Sequence, residues 1–405
     1  MKLVIIGNGV AGITTARLVS AKDPKAEITI YSDEKYPYYA RPRLIEYLAG
    51  RMPLDDLTLY DEPWYEQRGI RAMLQHRITA IEPADHCVVD EQGTRIAYDH
   101  LVIATGAHPW RPPIPGIEMA GIHTLRTIDD VLTIEREASA ARHAVVLGGG
   151  LLGLDTAMAL RAKDLDVTVV ELLPWLLPRQ LDRQGGEFLQ REFEEQGVRV
   201  ITGTACKTAV GEDRVRELIL ADGRNLPADV VLVSAGVRSN TSLALDAGLT
   251  CNRGIVVDEG MKTSAPDVYA VGDAAEYGER VWAIIPAAIA QARVAAAQIV
   301  DDTDTLYEDI VPSTTLQVIG IDLTSMGEVN PEGGEYREIR WADADACTYK
   351  KLVVRDNRIV GAILLGDTSD VRSVSRLIER GTDISNHCDV LLDPDFDLGR
   401  LGRRA

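Results

Sequence analysis

The chain has 405 residues, 46% of them hydrophobic, enough to bury the cores of two or three domains and too apolar for wholesale disorder. Its formal net charge is −19, which argues against nucleic acid or an anionic membrane as a partner, since both need positive surface. No apolar run is long enough to span a bilayer, and one lysine leads straight into a strand at the start of the sequence, so no signal peptide is expected there. The five cysteines, Cys87, Cys206, Cys251, Cys347 and Cys388, are odd in number and scattered. They make neither a disulfide framework nor a metal-ligand pattern, so a metal-free cytoplasmic protein is expected.

In chain order, "KLVIIG" reads as a buried parallel strand, Val10 to Ala21 as the helix after it, and "EITIYS" as the second strand. This unit fills about 30 residues, the length a β-α-β element needs. The stretch from Tyr36 to Arg71 is mixed, with prolines at 37, 42, 53 and 63. "HRITAIEP", "HCVVDE" and "TRIAYDHLVIATG" read as strands, the last entering a turn at Gly106, and "HPWRPPIPG" is a proline-rich boundary. From Ala144 the strand, glycine turn, helix and strand recur in "AVVLGGGLLGLDTAMALRAKDLDVTVVE". Three more strands follow, and then "IVVDEGMKTSAPDVYAVGDAAEY", which looks like a return to the first domain, and an Ala-rich helix. After residue 310 the texture becomes an antiparallel sheet, with Asp356-Asn357 as a hairpin turn and "VRSVSRLIERG" as a closing helix. The expected architecture is α/β. Two doubly wound, Rossmann-like dinucleotide-binding domains (1–110 with 245–309, and 111–244) are nested one in the other, and an α+β domain spans 310–405.

The two glycine turns carry the chemistry. A helix N-terminus offers unpaired N–H groups and a partial positive charge. Glycines let a diphosphate approach the backbone and let helix and strand pack closely. Gly7, Gly9 and Gly12, with Val10 and Ala11 opening the helix, form the first turn. Gly148, Gly150 and Gly153, with Leu151 and Leu152, form the second. Each copy has an acid near the end of its second strand. Glu171 ends "DVTVVE" and is followed by Leu172, Leu173 and Pro174 rather than by an arginine. A carboxylate there accepts from both adenosine ribose hydroxyls and repels a 2′-phosphate, which reads as NADH rather than NADPH. In the first copy the candidate is Asp33, with Glu34 second, because Ser32 occupies the position where an acid is expected.

Two further segments, "LVIATG" and "VYAVGDAAE", resemble those that complete the FAD site in two-dinucleotide flavoproteins. Together the motifs resemble the FAD-dependent pyridine-nucleotide oxidoreductases, the glutathione-reductase-like superfamily. Within it, "YPYYARPRLIEYL", "LLPRQLDRQGGEFLQREFEEQGVRV" and "YKKLVVRDNRIVGAILLGD" are similar to NADH:rubredoxin reductases and to the flavin domain of assimilatory nitrite reductase. The similarity runs from Met1 to about Gly381. It implies FAD at the first turn, with Ile78, Ala104, Thr105, Gly106, Gly272 and Asp273 adding to the site and Asp273 accepting from the ribityl chain. It implies NADH at the second turn, with Gly236 of "SAGVRSN" closing that site. Arg41 and Pro42 are implied beside the flavin and its diphosphate. Glu46 stands where ferredoxin reductases have a lysine. Asp155 stands where the family usually has a glutamate directed at the nicotinamide.

The disulfide reductases of the superfamily carry a cysteine pair after the first β-α-β unit, and relatives acting on peroxide or oxygen carry one cysteine there. The segment "YSDEKYPYYARPRLIEYLAGRMP" has none. The chemistry is then expected to reside in the two cofactors, with electrons passed singly to rubredoxin, ferredoxin or an iron–sulfur subunit. The alternatives are an electron-transfer subunit of a larger iron–sulfur complex, an oxidase giving electrons to oxygen, or an NADH-binding sensor. Since rubredoxins are usually acidic, docking calls for a local basic patch, for which Arg41, Arg43, Arg400, Arg403 and Arg404 are the candidates.

Overall fold

The computed structural model describes residues 1–308, 313–318, 320–343, 345–393 and 396–401. Arg403 and Arg404 lie outside them. The chain divides into two compact units: residues 1–47, 51–110 and 236–308 in the first, and residues 48–50, 111–235 and the C-terminal portion in the second.

The first unit is built on a five-stranded sheet in the order Val268–Ala270, His100–Ile103, Lys2–Ile6, Glu27–Tyr31, Ile70–Met73. Every pairing in it is parallel. Parallel strands are covered on both faces, which is why these segments read as continuous apolar runs. Leu3, Ile5, Ile30, Leu101, Val102 and Ile103 are all completely buried. The helices Val10–Lys22 and Ile285–Ile299 pack together. The second helix is rich in alanine, and its small side chains let the two backbones approach. A separate antiparallel sheet, Ile78–Glu82, Cys87–Asp90 and Arg95–Ala97, follows Ile70–Met73 in the chain.

The second unit repeats this plan. Its parallel sheet runs Arg199–Ile201, Asp166–Val170, His143–Leu147, Val230–Val233, Ile122–His123. A three-stranded antiparallel sheet, Cys206–Gly211, Val215–Leu220 and Asn225–Pro227, is inserted at the matching point. The repeat expected from residue 144 onward is thus a repeat of topology over four strands as well as of motif; the edge strand Ile122–His123 precedes it in the chain, whereas Val268–Ala270 comes last in the first sheet.

The chain re-enters the first unit at Gly236. Its Val237–Ser239 strand pairs antiparallel with Ala107–Pro109, and Trp110 donates its N–H to Gly236 O (2.9 Å). The C-terminal portion forms a five-stranded antiparallel sheet, Ser313–Val318, Ile321–Gly327, Arg358–Leu365, Thr348–Arg355, Arg337–Asp343. Helix Val371–Glu379 covers it, burying Val374 and Leu377 against the strand Arg358–Leu365. Asp356 and Asn357, with φ of 50° and 58°, form the hairpin turn. Two successive left-handed residues match the strand twist of a type I′ turn. This sheet belongs to the same compact unit as residues 111–235.

Among the described residues, no helix is long and apolar enough to cross a membrane, and no group of three or more His, Cys, Asp or Glu could hold a metal ion.

Candidate dinucleotide sites

Both glycine turns lie at the carboxyl ends of parallel strands, where doubly wound sheets bind their ligands. In the first, a Cβ on Gly7 would stand 2.1 Å from Ala104 O, and one on Gly12 would stand 2.0 Å from Gly7 O. In the second, a Cβ on Gly148 would stand 2.3 Å from Ser234 O, and one on Gly153 would stand 2.1 Å from Gly148 O. The outer glycines are therefore required by close backbone packing in both copies. Gly7 and Gly148 also hold φ of +114° and +122°, which side chains rarely adopt. The middle glycines differ. A Cβ on Gly9 or Gly150 would meet nothing within 4 Å.

Each middle glycine is the N-cap of its helix, and neither helix has a side-chain cap. Two helix N-termini that no side chain caps, each beneath open space over a glycine, fit the diphosphate of a dinucleotide. Val10 and Ala11, and Leu151 and Leu152, open those helices.

Around the first turn the fold gathers segments far apart in sequence. Thr105 Oγ1 donates to Asn240 O (3.0 Å), and Asn240 Nδ2 returns a bond to Thr105 O (2.7 Å). Asn240 N–H donates to Gly106 O (2.9 Å), so Ala104-Thr105-Gly106 is held in its turn by a residue 135 positions away. Ser239 Oγ donates to Asp273 O (2.7 Å). Gln291, 2% exposed on the Ala-rich helix, accepts the Gly272 N–H (2.8 Å). Gly272 has φ of +73°, and a Cβ there would stand 2.8 Å from Ala11 Cβ. The turn before Asp273 thus lies against the start of the first helix.

Arg41 and Pro42 lie in the short 3₁₀ turn Arg41–Arg43. Arg41 forms a closed ring with Tyr39 and Glu34: Arg41 Nη1 donates to Tyr39 Oη (2.9 Å), Tyr39 donates to Glu34 Oε2 (2.6 Å), and Arg41 Nη2 pairs with Glu34 Oε1. Burial opposes the guanidinium charge. Tyr39, Glu34 and the carboxylate of Asp273 outweigh it and raise the Arg41 pKa above its usual value. Glu34 is thus spent on holding Arg41. Asp33 is exposed. In register, Ile6 pairs with Tyr31 as Leu147 pairs with Val170, so Ser32, not Asp33, matches Glu171. Ile78 is buried in the antiparallel sheet, in the core of the unit. Of the candidate basic patch, Arg43 pairs with Glu46 (3.4 Å) and Arg400 with Asp397 (3.5 Å), so each described member lies beside an acid.

In the second turn, Glu171 is 8% exposed. Its Oε2 accepts the Gly149 N–H (2.6 Å) and its Oε1 accepts the Leu173 N–H (2.7 Å). The carboxylate is fixed beside the glycine turn, with lone pairs left for further donors. Leu152, Leu172 and Leu173, close to the turn or to the acid in sequence, are 41%, 64% and 46% exposed, an unusual exposure for leucine. Asp155 sits in the second turn of the helix Leu151–Arg161, partly exposed. Gly236, expected to close this site, has φ of +94° and is the first residue of the return to the first unit.

None of the five cysteines forms a disulfide. Burial raises the thiol pKa values of Cys87, Cys206 and Cys251, and burial with Glu192 pushes Cys347 up to about 12. None of these four thiols is poised as a thiolate at neutral pH by its environment.

Motif reading missed Asn240, Ser239 and Gln291 as site-building residues. Asn240 and Ser239 stand in the quoted "SAGVRSN", but nothing local marks them as partners of Thr105 and Asp273.

Comparison with known proteins agrees with this geometry. Residues 1–298 match the family described as pyridine nucleotide-disulphide oxidoreductase, and residues 312–382 match the rubredoxin NAD+ reductase C-terminal domain. The chain is 36% identical over 385 residues to a nitrite reductase [NAD(P)H] of Bacillus subtilis, covering 95% of this chain and 48% of that one. It is 30% identical to an NADH-rubredoxin oxidoreductase of Clostridium acetobutylicum, covering 95% and 96% of the two. The solved structure of a ferredoxin reductase from Rhodopseudomonas palustris superposes with a TM-score of 0.90 at 26% identity, covering 99% of this chain and 100% of that one. The chain spans about half the length of the nitrite and nitrate reductase proteins it matches. By motif, topology and match over most of its length, the chain belongs to the pyridine nucleotide-disulphide oxidoreductase family.

Proposed function

We propose that the chain is an FAD-dependent NADH oxidoreductase that hands electrons to a small iron–sulfur protein such as rubredoxin or ferredoxin. The observation that carries this reading is the pair of matched turns, each with open space over an uncapped helix N-terminus, in a chain whose five cysteines form no disulfide. When bound, FAD supplies the chemistry that takes two electrons from NADH and releases them one at a time.

The protein's own residues do the rest. The N–H groups of the helix starting at Val10 bind the FAD diphosphate, and Gly9 keeps the approach clear. The Asn240 and Gln291 hydrogen bonds hold Thr105-Gly106 and Gly272-Asp273 in place, so that Asp273 presents its carboxylate to the ribityl chain. Arg41, oriented by Tyr39 and Glu34, provides a fixed cation beside the anionic cofactor. With Ser32 opposite, Asp33 is the carboxylate left to meet the adenosine ribose. At the second turn, Glu171 accepts the ribose hydroxyls of NADH and repels a 2′-phosphate. Asp155 faces the nicotinamide end of that site, and Gly236 closes it. The domains follow, with the expected boundary at 244/245 moved to the return at Gly236: FAD on 1–110 and from 236 to about 309, NADH on 111–235, and an acceptor-side domain on 310–405. Use of NADH suits a cytoplasmic protein.

A second reading, an electron-transfer portion of a larger iron–sulfur enzyme, is favoured by the 36% identity to a nitrite reductase over 95% of the chain. Anaerobic stopped-flow separates the two. Rapid bleaching by NADH followed by fast reoxidation with oxidised rubredoxin or ferredoxin is the expected result. Rapid bleaching with every soluble acceptor slow favours the larger enzyme, and no bleaching removes the NADH assignment.

A further inference from the structure

The second glycine turn rests on a segment that the C-terminal sheet holds. After Glu171 the chain doubles back against the turn. Leu177 donates its N–H to Gly149 O (3.0 Å), and Leu181 donates to Leu177 O (2.8 Å). The Leu176 side chain fills the space where a Gly149 Cβ would be, 2.7 Å away. Leu177 is completely buried with φ of +49°, a left-handed conformation that a leucine keeps only under constraint from its surroundings.

Three side chains, Lys351, Asp182 and Asn330, hold the residues that follow it. Lys351, 1% exposed, has its ammonium 3.2 Å from Asp182 Oδ2 and 3.0 Å from Glu338 Oε1, and donates to Val329 O (2.9 Å). Asp182 accepts the Tyr349 hydroxyl (2.7 Å) on the same oxygen, and the Gly185 N–H (3.0 Å) on the other. Asn330 Nδ2 donates to the carbonyls of Pro178 (3.1 Å) and Leu181 (2.9 Å). A buried lysine costs more in desolvation than its pairing returns unless its geometry is well satisfied, so it is a poor way to gain stability. It is a good way to specify one register, because any slip leaves charges unpaired.

We infer that Lys351, Asp182 and Asn330 are positioning residues of the NADH site. Through them the C-terminal sheet sets segment 171–182, and that segment sets the Gly149 backbone and the Glu171 carboxylate that Gly149 and Leu173 hold. The inference rests on the NADH reading of the second turn. It assigns the C-terminal sheet a part in donor binding, separate from any part in acceptor docking.

The test uses ADP-ribose, which carries the adenosine and diphosphate without the nicotinamide, titrated calorimetrically into the FAD-loaded protein. Lys351→Met is expected to weaken binding by at least about tenfold and Asn330→Ala by about three- to tenfold. Both are expected to keep wild-type FAD content and wild-type bleaching rates at saturating NADH, so that KM moves and kcat does not. Asn330 is exposed, and its truncation leaves no buried charge. It therefore decides the matter if Lys351→Met fails to fold. Wild-type ADP-ribose affinity in Asn330→Ala overturns the inference, as does a loss of saturating rate in step with affinity, which would mark general damage. Failure of the wild-type protein itself to bind ADP-ribose removes the NADH reading and this inference with it.

Discussion

Two glycine-to-alanine changes three residues apart should have opposite signatures. Gly153 lies inside a helix, where alanine is favoured over glycine by roughly 1 kcal/mol. Its new Cβ, however, would stand 2.1 Å from Gly148 O, 3.2 Å from Gly148 C and 3.3 Å from Ser234 Cβ. The obstacle is backbone, not the end of a flexible side chain, so helix and strand must part. Overpacking of this kind costs about 1–3 kcal/mol, occasionally more. With the upper end of that range set against the propensity gain, the net is a loss of about 2 kcal/mol. At about 2–4 °C per kcal/mol for a domain of this size, Gly153→Ala should melt roughly 4–8 °C lower.

Gly150 has φ of −81° and ψ of 177°, which any residue adopts, and its new Cβ would meet no protein atom. Alanine is a poorer N-cap than glycine, a cost under about 1 kcal/mol. Gly150→Ala should therefore melt close to wild type while binding ADP-ribose at least about tenfold more weakly, because in the proposed site the methyl takes the space through which the diphosphate approaches the backbone. Thermal unfolding with calorimetric titration reads both. Wild-type affinity in Gly150→Ala, or a wild-type melting temperature in Gly153→Ala, would refute the reasoning.

Three further outcomes are expected. Glu171→Ala combined with Leu172→Arg removes the carboxylate and adds a cation, and should raise the NADPH-to-NADH ratio of kcat/KM at least about tenfold in steady-state assays. An unchanged ratio would mean Glu171 does not face the adenosine ribose. The Asp182 carboxyl is pushed up by burial, but the Gly185 N–H, the Tyr349 hydroxyl and Lys351 outweigh this and hold it below the usual carboxylate range. A depressed folded-state pKa gives stability that is complete above the unfolded value, near pH 4, and is lost as pH falls through the folded value. The urea midpoint should therefore drop below about pH 4 in the wild type and less steeply in Asp182→Asn; equal slopes would count against the pairing. Iodoacetamide at neutral pH should leave NADH bleaching and turnover with a one-electron acceptor unchanged, since burial raises four of the five thiols. Inactivation that NADH protects against would reveal a redox thiol.

What the sequence determined by itself is local or periodic. The apolar runs before Gly7 and Gly148, the glycine spacing, and the acid after "DVTVV" depend on residues a few positions apart, and so does the Asp356-Asn357 turn. Backbone conformation and side-chain period are set by near neighbours, so these features survive reading as a string. Only the tertiary structure decided the rest. Asn240 meets Thr105, Gln291 meets Gly272, and Lys351 meets Asp182 because distant strands and helices end side by side. The return at Gly236 follows from an antiparallel pairing with Ala107–Pro109, invisible in a proline-rich linker. A hydrogen bond between residues more than a hundred positions apart has no local signature. It exists only once burial of the apolar strands has chosen the topology that brings its two ends together.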